Sequence, residues 1–207
     1  MKGIRAYRAQ SYASLERVAA DVRANILPGL SELDPVPGLV LFERLDDYCV
    51  PVEESKIRLQ YAVESLVPGI EAQAYYSVDE EAVVVALSET TYERLNAGTT
   101  RALFTVGHEL GHAVLHSAEL VDRRLAAFES RALHRGSPRT HPAFMDTEWQ
   151  ANGFAAAMLM PARGLVQLEM GGRLDSVTVA RTYLVSLHAA ELRVKTFLER
   201  RHGLVGK

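Results

Sequence analysis

The chain has 207 residues, of which 48% are hydrophobic and 24% charged, and its formal net charge is −3 at pH 7. This balance is typical of a soluble domain with a substantial core, and it excludes a general electrostatic attraction to nucleic acid. No apolar run is long enough to span a membrane, and the first residues lack the apolar region of a secretory signal. The single cysteine, Cys49, cannot form an internal disulfide, so we expect a cytoplasmic protein in which Cys49 is a packed small hydrophobic residue.

The first half of the chain predicts one helix followed by strands. Apolar residues with helical spacing indicate a helix over residues 11–27, which Pro28 ends. Residues 55–66 are compatible with either a helix or a strand. Two strands are predicted at residues 70–78, where apolar and polar residues alternate, and at residues 82–87, whose continuous apolar run is typical of a central strand.

The pentapeptide His108-Glu109-Leu110-Gly111-His112 is the most informative stretch of the sequence. Histidines four residues apart on a helix share one face and can bind the same cation. The glutamate between them lies at the edge of that face, within reach of a water molecule on the metal. Two histidine ligands and a glutamate base at this spacing are the signature of zinc metallopeptidases.

The residues around the pentapeptide predict a helix with one buried side. Thr99 and Thr100 follow Gly98, and either threonine can cap the start of the helix. Gly107 and Gly111 each cost about 1 kcal/mol relative to alanine inside a helix, which indicates that another element packs very close to them. The buried side is expected to carry the apolar residues that recur at spacings of three and four: Leu103, Val106, Leu110 and Val114.

A catalytic zinc site needs a third protein ligand in addition to two histidines. His116 is a poor candidate, because eight residues of helix place it about 12 Å from His108. We expect His116 instead to interact with the carbonyl groups at the helix end. The third ligand should therefore come from a later helix, and the downstream candidates are Glu119, Asp122, Glu129, His134, His141, Asp146 and Glu148.

A second helix is predicted over residues 145–161, where Asp146 or Thr147 caps its start and a proline ends it. Its alanines allow a close approach to the glycine-bearing face of the first helix. Glu148 and Asn152 are four residues apart, so they share a face that can point at the metal site. Alternatively, Glu148 is a solvated first-turn glutamate that the helix dipole favours, and the pattern alone leaves both interpretations open.

Two sequence blocks together resemble the ImmA/IrrE family of zinc metallopeptidases. The first, residues 104–116, reads Phe-Thr-Val-Gly-His-Glu-Leu-Gly-His and ends in a Leu-His pair. The second, residues 148–161, reads Glu-x-x-Ala-Asn-x-Phe-Ala-Ala-x-x-Leu-Met-Pro. The resemblance implies that Glu148 completes a zinc site with the two histidines of the pentapeptide, and that Glu109 is the general base. Gln150 departs from the family pattern, which often has a second acidic residue at that place.

The resemblance covers residues 70–161, continues weakly into residues 185–194, and implies an α+β fold. We expect a mostly helical zincin-like domain with a small antiparallel or mixed sheet beside the metal-site helix. Two short helices with a break around Val185 are predicted near the C-terminus. The whole chain, residues 1–207, is predicted to be one metallopeptidase domain with three parts: an N-terminal helix (1–30), a catalytic core (31–170) and a C-terminal helical segment (171–207).

The predicted function is zinc-dependent hydrolysis of peptide bonds, with Glu109 as base and three zinc ligands, His108, His112 and Glu148. Members of the resembled family act on DNA-binding repressors or antitoxin-like partners, so we expect a selective regulatory endopeptidase with a helix-turn-helix protein as substrate. The substrate is expected to add as a strand beside residues 82–87, and the polar stretch before the second helix to restrict entry. We expect neither direct binding to nucleic acid nor association with a membrane.

Two other functions are compatible with the sequence. The chain could be a zinc-containing sensor or binding module without hydrolytic activity, because the motif indicates competence rather than turnover. It could also be a DNA-binding regulator whose C-terminal segment contacts phosphates, although a solvated helix face with ion pairs such as Glu191–Lys195 explains the same charges. The basic residues of that segment are Arg173, Arg181, Arg193, Lys195, Arg200, Arg201 and Lys207.

Overall fold

The computed structural model describes residues 4–52, 55–122 and 141–204. In these residues helices predominate and four strands form a small mixed sheet, which confirms the predicted α+β fold. Two of the candidate ligands, Glu129 and His134, lie outside the described residues, as does most of the polar stretch before the second predicted helix.

The first helix, α1 (Tyr12–Ile26), confirms the helix predicted near the N-terminus. The hydroxyl of Ser11 accepts a hydrogen bond from the backbone N–H of Ser14, and the Ser14 hydroxyl accepts one from the backbone N–H of Ser11. A short helix, α2 (Gly38–Glu43), and a 3-10 turn at Leu45–Asp47 follow. The side of α1 that faces the core carries Leu15, Ala19, Val22 and Ile26.

The sheet has the strand order β1-β2-β4-β3, and β2 and β4 are parallel while the two outer pairs are antiparallel. The strands are β1 (Cys49–Val52), β2 (Ser55–Glu64), β3 (Ala72–Ser77) and β4 (Ala82–Ser88). The stretch that sequence alone left open is therefore the strand β2. Residues 82–87 are all buried, because β4 lies in the middle of the sheet, and a doubly covered strand carries a continuous apolar run.

The prediction that a substrate strand adds beside residues 82–87 is wrong, because these residues form the central strand β4. Both edges of β4 are already paired, one with β2 and the other with β3, so no further strand can add there. The edge strands of the sheet are β1 and β3, and β3 is the one that packs beside α4, so we refer to its unpaired side as the open edge. The backbone N–H of Ser88 donates to the carbonyl of Glu71 at 3.0 Å, and hydrogen-bond direction alternates along an antiparallel pair. Three residues of β3 therefore point their backbone N–H and C=O groups away from β4: Ala72, Ala74 and Tyr76.

After the sheet, α3 (Glu89–Asn96) leads to α4 (Thr100–Leu115), which contains the pentapeptide. Residues 117–122 are also helical. A 3-10 turn at Ala143–Met145 then precedes α5 (Thr147–Leu159), the second predicted helix. Within α4 the predicted apolar side is buried at Leu103, Val106 and Leu110, whereas Val114 is partly buried.

The N-terminal segment holds the start of α5 in place. The backbone N–H of Ala6 donates to the carbonyl of Met145 at 2.7 Å, and the N–H of Thr147 donates to the carbonyl of Ile4 at 3.0 Å. Asp146 caps α5, because its side chain accepts a hydrogen bond from the backbone N–H of Trp149. The first turn of α5 is therefore held both by its N-cap residue and by hydrogen bonds from the N-terminal segment.

The last helices are α6 (Ala162–Met170), α7 (Ser176–Tyr183) and α8 (Leu187–Leu204), with the predicted break between α7 and α8. Arg193 is not on a solvated face, as the charge pattern had suggested, but is 3% exposed. Its guanidinium pairs with Glu16 of α1 and donates to the carbonyl of Met160 at 2.9 Å. The Glu16 carboxylate also accepts from the backbone N–H of Ala162 at 3.0 Å, so this pair joins α1, α6 and α8.

Two further expectations concern single features of the chain. Cys49 is exposed, so the expectation that it packs in the core is wrong. Successive residues of a strand face opposite sides of the sheet, and in β1 it is Val50 that faces inward, with 1% exposure. Among the described residues, no helix is both long enough and apolar enough to cross a membrane.

Candidate metal centre

The two histidines of the pentapeptide lie one turn apart on α4 and direct the same ring nitrogen towards a common point. Their Nε2 atoms are 3.1 Å apart, and their ring centroids are 4.7 Å apart. Both side chains are largely buried, with 18% of His108 and 17% of His112 exposed. This pair of nitrogen atoms can therefore bind a single cation.

The carboxylate of Glu148, in the first turn of α5, completes a triangle with these nitrogen atoms. One oxygen lies 3.5 Å from Nε2 of His108, and the other lies 3.3 Å from Nε2 of His112. Tetrahedral zinc, with bonds of about 2.0–2.2 Å, places neighbouring ligand atoms about 3.3–3.5 Å apart. Two imidazoles and one carboxylate at this spacing fit a catalytic zinc ion with a fourth position open. We refer to His108, His112 and Glu148 as the His–Glu cluster.

The other candidate ligands in the described part of the chain have different partners. Asp146 caps α5, and its carboxylate lies 3.4 Å from the ring of His141. The Glu119 carboxylate accepts from the backbone N–H of Tyr7 at 2.7 Å, and Asp122 accepts from the Tyr7 hydroxyl at 2.8 Å. Of the candidates, Glu148 is the residue that the fold brings to both histidines, with all three ligand atoms within 4.8 Å of one another.

The two glycines of α4 allow α5 to come close enough for Glu148 to reach the histidines. A Cβ atom at Gly111 would lie 3.0 Å from the Cα of Ala151, and one at Gly107 would lie 3.3 Å from the Cβ of Ala155. Both distances are shorter than ordinary van der Waals contact between carbon atoms. The close packing that the glycines predicted is thereby confirmed.

The carboxylate and the imidazoles of the cluster shift each other's pKa values. Hydrogen bonds with His108 and then with His112 hold the pKa of Glu148 far below its usual range. Burial acts to lower the pKa of His108, but the hydrogen bond with Glu148 and the charges of Glu109 and Glu148 outweigh it, so that this pKa is raised overall. The cluster therefore stabilises positive charge where a metal ion would bind, and proton and metal compete for the same nitrogen atoms.

Glu109 lies beside the cluster without being part of it. Burial raises the pKa of its carboxyl group, while the charges of His112 and His108 oppose that rise, as does a hydrogen bond from the backbone N–H of Ala74 in β3. A carboxylate with a raised pKa is a better proton acceptor than an ordinary surface glutamate. The contact with Ala74 also places the base next to the open edge of the sheet.

The sequence interpretation missed the residues that contact the second ring nitrogen, Nδ1, of His108 and His112. His116 is the C-cap of α4, at the helix end as expected, but its side chain was assigned the wrong partners. The buried ring contacts His112, with the two Nδ1 atoms 3.1 Å apart. Its Nε2 lies 2.9 Å from Oε1 of Gln150. Nδ1 of His108 lies 3.1 Å from Oδ1 of Asn152. The four-residue spacing of His112 and His116 was a signal that could have predicted this contact.

A cavity of about 720 Å³ lies in the groove between α4, α5 and α8, and it is lined by neighbours of the cluster rather than by the cluster itself. Arg101 and Thr105 line it, and they precede His108 on the same face of α4. Asn152, which contacts His108, also lines it. The wall is largely apolar and includes Phe104, Trp149, Ala156, Val185, Ala189 and Leu192.

Residues 94–195 match the IrrE N-terminal-like domain, a peptidase family. The matched segment contains the His–Glu cluster, Glu109 and the cavity wall contributed by α4 and α5. The match confirms over residues 94–195 the family resemblance that the two sequence blocks indicated, and it supports a function of the metallopeptidase type. A comparison with curated proteins gave no significant match.

Proposed function

We propose that the protein is a zinc-dependent endopeptidase. The observation that carries the proposal is the triangle formed by Nε2 of His108, Nε2 of His112 and the Glu148 carboxylate, with edges of 3.1, 3.3 and 3.5 Å. A structural zinc site has four protein ligands, whereas among the described residues this cluster supplies three and has the partly buried carboxyl group of Glu109 beside it. The match to a peptidase family supports the same class of reaction.

Each residue then has a defined role in hydrolysis. His108, His112 and Glu148 would hold the ion, which when bound polarises a carbonyl group and acidifies water to a pKa of about 7. Glu109 accepts a proton from the water that attacks the scissile carbonyl carbon. It then delivers that proton to the amide nitrogen as the C–N bond breaks, which yields an amine and a carboxylic acid, and the acid then loses its own proton at neutral pH.

The substrate chain is proposed to lie along the open edge of β3. Ala72, Ala74 and Tyr76 direct backbone groups towards this edge. The N–H of Ala74 donates to Glu109, so the substrate would pair mainly with the groups of Ala72 and Tyr76 on either side. An extended peptide that pairs with these groups would run past the base and the His–Glu cluster. A helix cannot pair in this way, so the cleaved segment is a linker or an exposed loop rather than part of a packed helix.

The cavity beside the cluster is proposed to receive a large apolar side chain of the substrate. Its volume, about 720 Å³, is within the range of ligand pockets, and pockets of this kind gain affinity from apolar walls and orientation from a few polar groups. Thr105 and Asn152 are polar residues at the end nearest the histidines. Cleavage would therefore favour bonds next to a large apolar residue.

The natural substrate is proposed to be a cytoplasmic transcriptional regulator, either a helix-turn-helix repressor or an antitoxin-like protein. This part of the proposal is supported by the family resemblance and by the danger that an unselective protease poses in the cytoplasm. It includes no direct contact between this chain and nucleic acid. An exposed linker in such a regulator would suit the extended binding mode along β3.

The decisive experiment is co-expression with the regulator encoded by the neighbouring gene, followed by mass spectrometry of its fragments. We expect one cut, which a metal chelator abolishes and added zinc restores. Unfolded casein should be degraded little. Efficient degradation of arbitrary unfolded proteins would contradict selectivity, and an intact regulator that binds tightly would favour a zinc-containing sensor without hydrolytic activity.

A further inference from the structure

We infer that His116 and Gln150 are positioning residues that fix the ring of His112 for metal binding through a chain of hydrogen bonds. The inference rests on the proposed function, because it assumes that Nε2 of His112 is a metal ligand. It is independent of peptide cleavage, because these hydrogen bonds orient the ring of His112 before any substrate binds. It also concerns residues outside the His–Glu cluster.

Gln150 determines which atoms donate and which accept along this chain of hydrogen bonds. This side chain is completely buried, and its Nε2 lies 2.9 Å from the backbone carbonyl of Arg8 and 2.8 Å from that of Phe144. Carbonyl oxygens only accept hydrogen bonds, so the amide nitrogen must face them with its two N–H groups. The amide oxygen Oε1 is thereby turned towards His116.

The position of the hydrogen on His116 in turn determines the position of the hydrogen on His112. Because Oε1 of Gln150 is an acceptor, Nε2 of His116 carries the hydrogen of their 2.9 Å bond. A neutral imidazole with its hydrogen on Nε2 accepts at Nδ1, and Nδ1 of His116 lies 3.1 Å from Nδ1 of His112. His112 therefore donates from Nδ1, which leaves the lone pair of its Nε2 directed at the cluster.

The opposite arrangement would be incompatible with metal binding. If His116 donated from Nδ1, His112 would have to accept there and carry its hydrogen on Nε2, the atom that faces His108 and Glu148. A ring nitrogen that carries a hydrogen has no lone pair for a metal. Partners on the second nitrogen of a histidine ligand are known to set both tautomer and orientation. Here α5 supplies the ligand Glu148 together with Gln150 and Asn152. One helix therefore both provides a metal ligand and orients the rings of the two histidine ligands.

The test compares zinc affinity among variants of the full-length protein, measured by competition with a chelating dye. His116→Phe keeps a ring of similar size but removes both nitrogen atoms, and it should weaken zinc binding by about 10- to 100-fold. His116→Asn places an oxygen near the former Nδ1 position, where it can accept from His112, and it should recover most of the loss. A merely structural role would favour the aromatic replacement over the smaller polar one.

His141→Phe is the matched control, since His141 is also a largely buried histidine near α5, with 10% of its side chain exposed, and it is outside the hydrogen-bond chain. It should bind zinc like the wild type. If a variant fails to fold, nitrogen-15 chemical shifts of the histidine rings in the zinc-loaded wild type decide the matter. The hydrogens should be on Nδ1 of His112 and on Nε2 of His116.

Three results would overturn the inference. These are unchanged zinc affinity in His116→Phe, equal losses in His116→Phe and His116→Asn, and a hydrogen on Nδ1 of His116 in the zinc-loaded protein. A wild-type chain that binds no zinc would overturn the proposed function together with this inference. Wild-type zinc binding without peptide cleavage would contradict the peptidase and leave the positioning role intact.

Discussion

Of the two glycines on α4, Gly111 lies nearer to the backbone of α5, which it meets at Ala151. A methyl group on Gly111 would lie 3.0 Å from the Cα and 3.1 Å from the carbonyl oxygen of Ala151. Both atoms belong to backbone, which cannot move aside as a flexible side chain can. Glu148 is three residues before Ala151 on α5, so the separation of the helices at this point controls the distance from Glu148 to the histidines.

Gly111→Ala should therefore weaken zinc binding and destabilise the protein. Overpacking costs about 1–3 kcal/mol, and the better helix propensity of alanine offsets up to about 1 kcal/mol of that. Gly203→Ala in α8 is the matched control, because nothing lies within 4 Å of the added atom, and it should be neutral or slightly stabilising. Urea unfolding and dye competition measure both effects, and a Gly111→Ala variant as stable as the control would contradict the packing argument.

Alanine at any residue of the His–Glu cluster should abolish stable zinc binding, because two ligands cannot hold the ion as three do. Metal content after dialysis measures this for His108→Ala, His112→Ala and Glu148→Ala. Asp146→Asn, which keeps an N-cap side chain, and His141→Ala should retain zinc. The assignment of Glu148 would be wrong if Glu148→Ala kept its zinc while one of these two controls lost it.

Glu109→Gln should retain fold and zinc but reduce cleavage of the natural substrate by at least about 100-fold, since a general base contributes about 10²–10⁴. The amide has the same shape as the carboxyl group and cannot accept the proton from water. Metal content and the rate of fragment formation are measured on the same sample. Cleavage at the wild-type rate would exclude Glu109 as the base, and loss of zinc would indicate a structural role.

Ala189→Phe should narrow the cavity and reduce cleavage next to large apolar residues at least several-fold, with little change for substrates with a small residue there. Leu198→Phe on the same helix is the control, because Leu198 is 52% exposed and does not line the cavity. Trp149, the single tryptophan, lines the cavity, so its fluorescence reports occupation without any turnover. An apolar peptide that leaves this fluorescence unchanged would contradict the assignment of the cavity.

Arg193→Met should destabilise the protein by about 3–5 kcal/mol, because it leaves the carboxylate of Glu16 buried without its cation. In the ion pair of these residues the side chains are 2% and 11% exposed. Arg201→Met is the matched control, because its partner Glu169 and Arg201 itself are 33% and 44% exposed, and such pairs contribute about 0–1 kcal/mol. Equal unfolding midpoints in urea would contradict a structural role for the buried pair.

Features with a strong local pattern could be predicted from the sequence. The pentapeptide and its glycines indicated both α4 and the close approach of α5, because helical spacing and the cost of glycine are local properties. The continuous apolar run of β4 likewise indicated a central strand. Residues 55–66 were left unassigned although Ile57, Leu59, Tyr61 and Val63 alternate along them as in a strand, and the structure shows that β2 pairs with both β1 and β4.

Features that depend on distant chain could not be predicted in this way. Arg193 looked like a surface cation, because its partner Glu16 is far away in sequence. Which strand forms the open edge depends on the order of the sheet, and that order follows from pairing between strands. The role of His116 was missed since Gln150, which contacts it, is on another helix. The ligand assignments themselves stay predictions until metal content is measured.

The ion pair of Glu16 and Arg193 joins positions 177 residues apart, and this has a consequence for the timing of synthesis. On the ribosome, the chain releases all three side chains of the His–Glu cluster well before α8 emerges. Until then Glu16 lacks its guanidinium partner and the cavity lacks the wall that α8 contributes. The ligand residues are therefore synthesised before the groove beside them is closed, and the cavity is complete only once α8 has emerged and packed against α1 and α6.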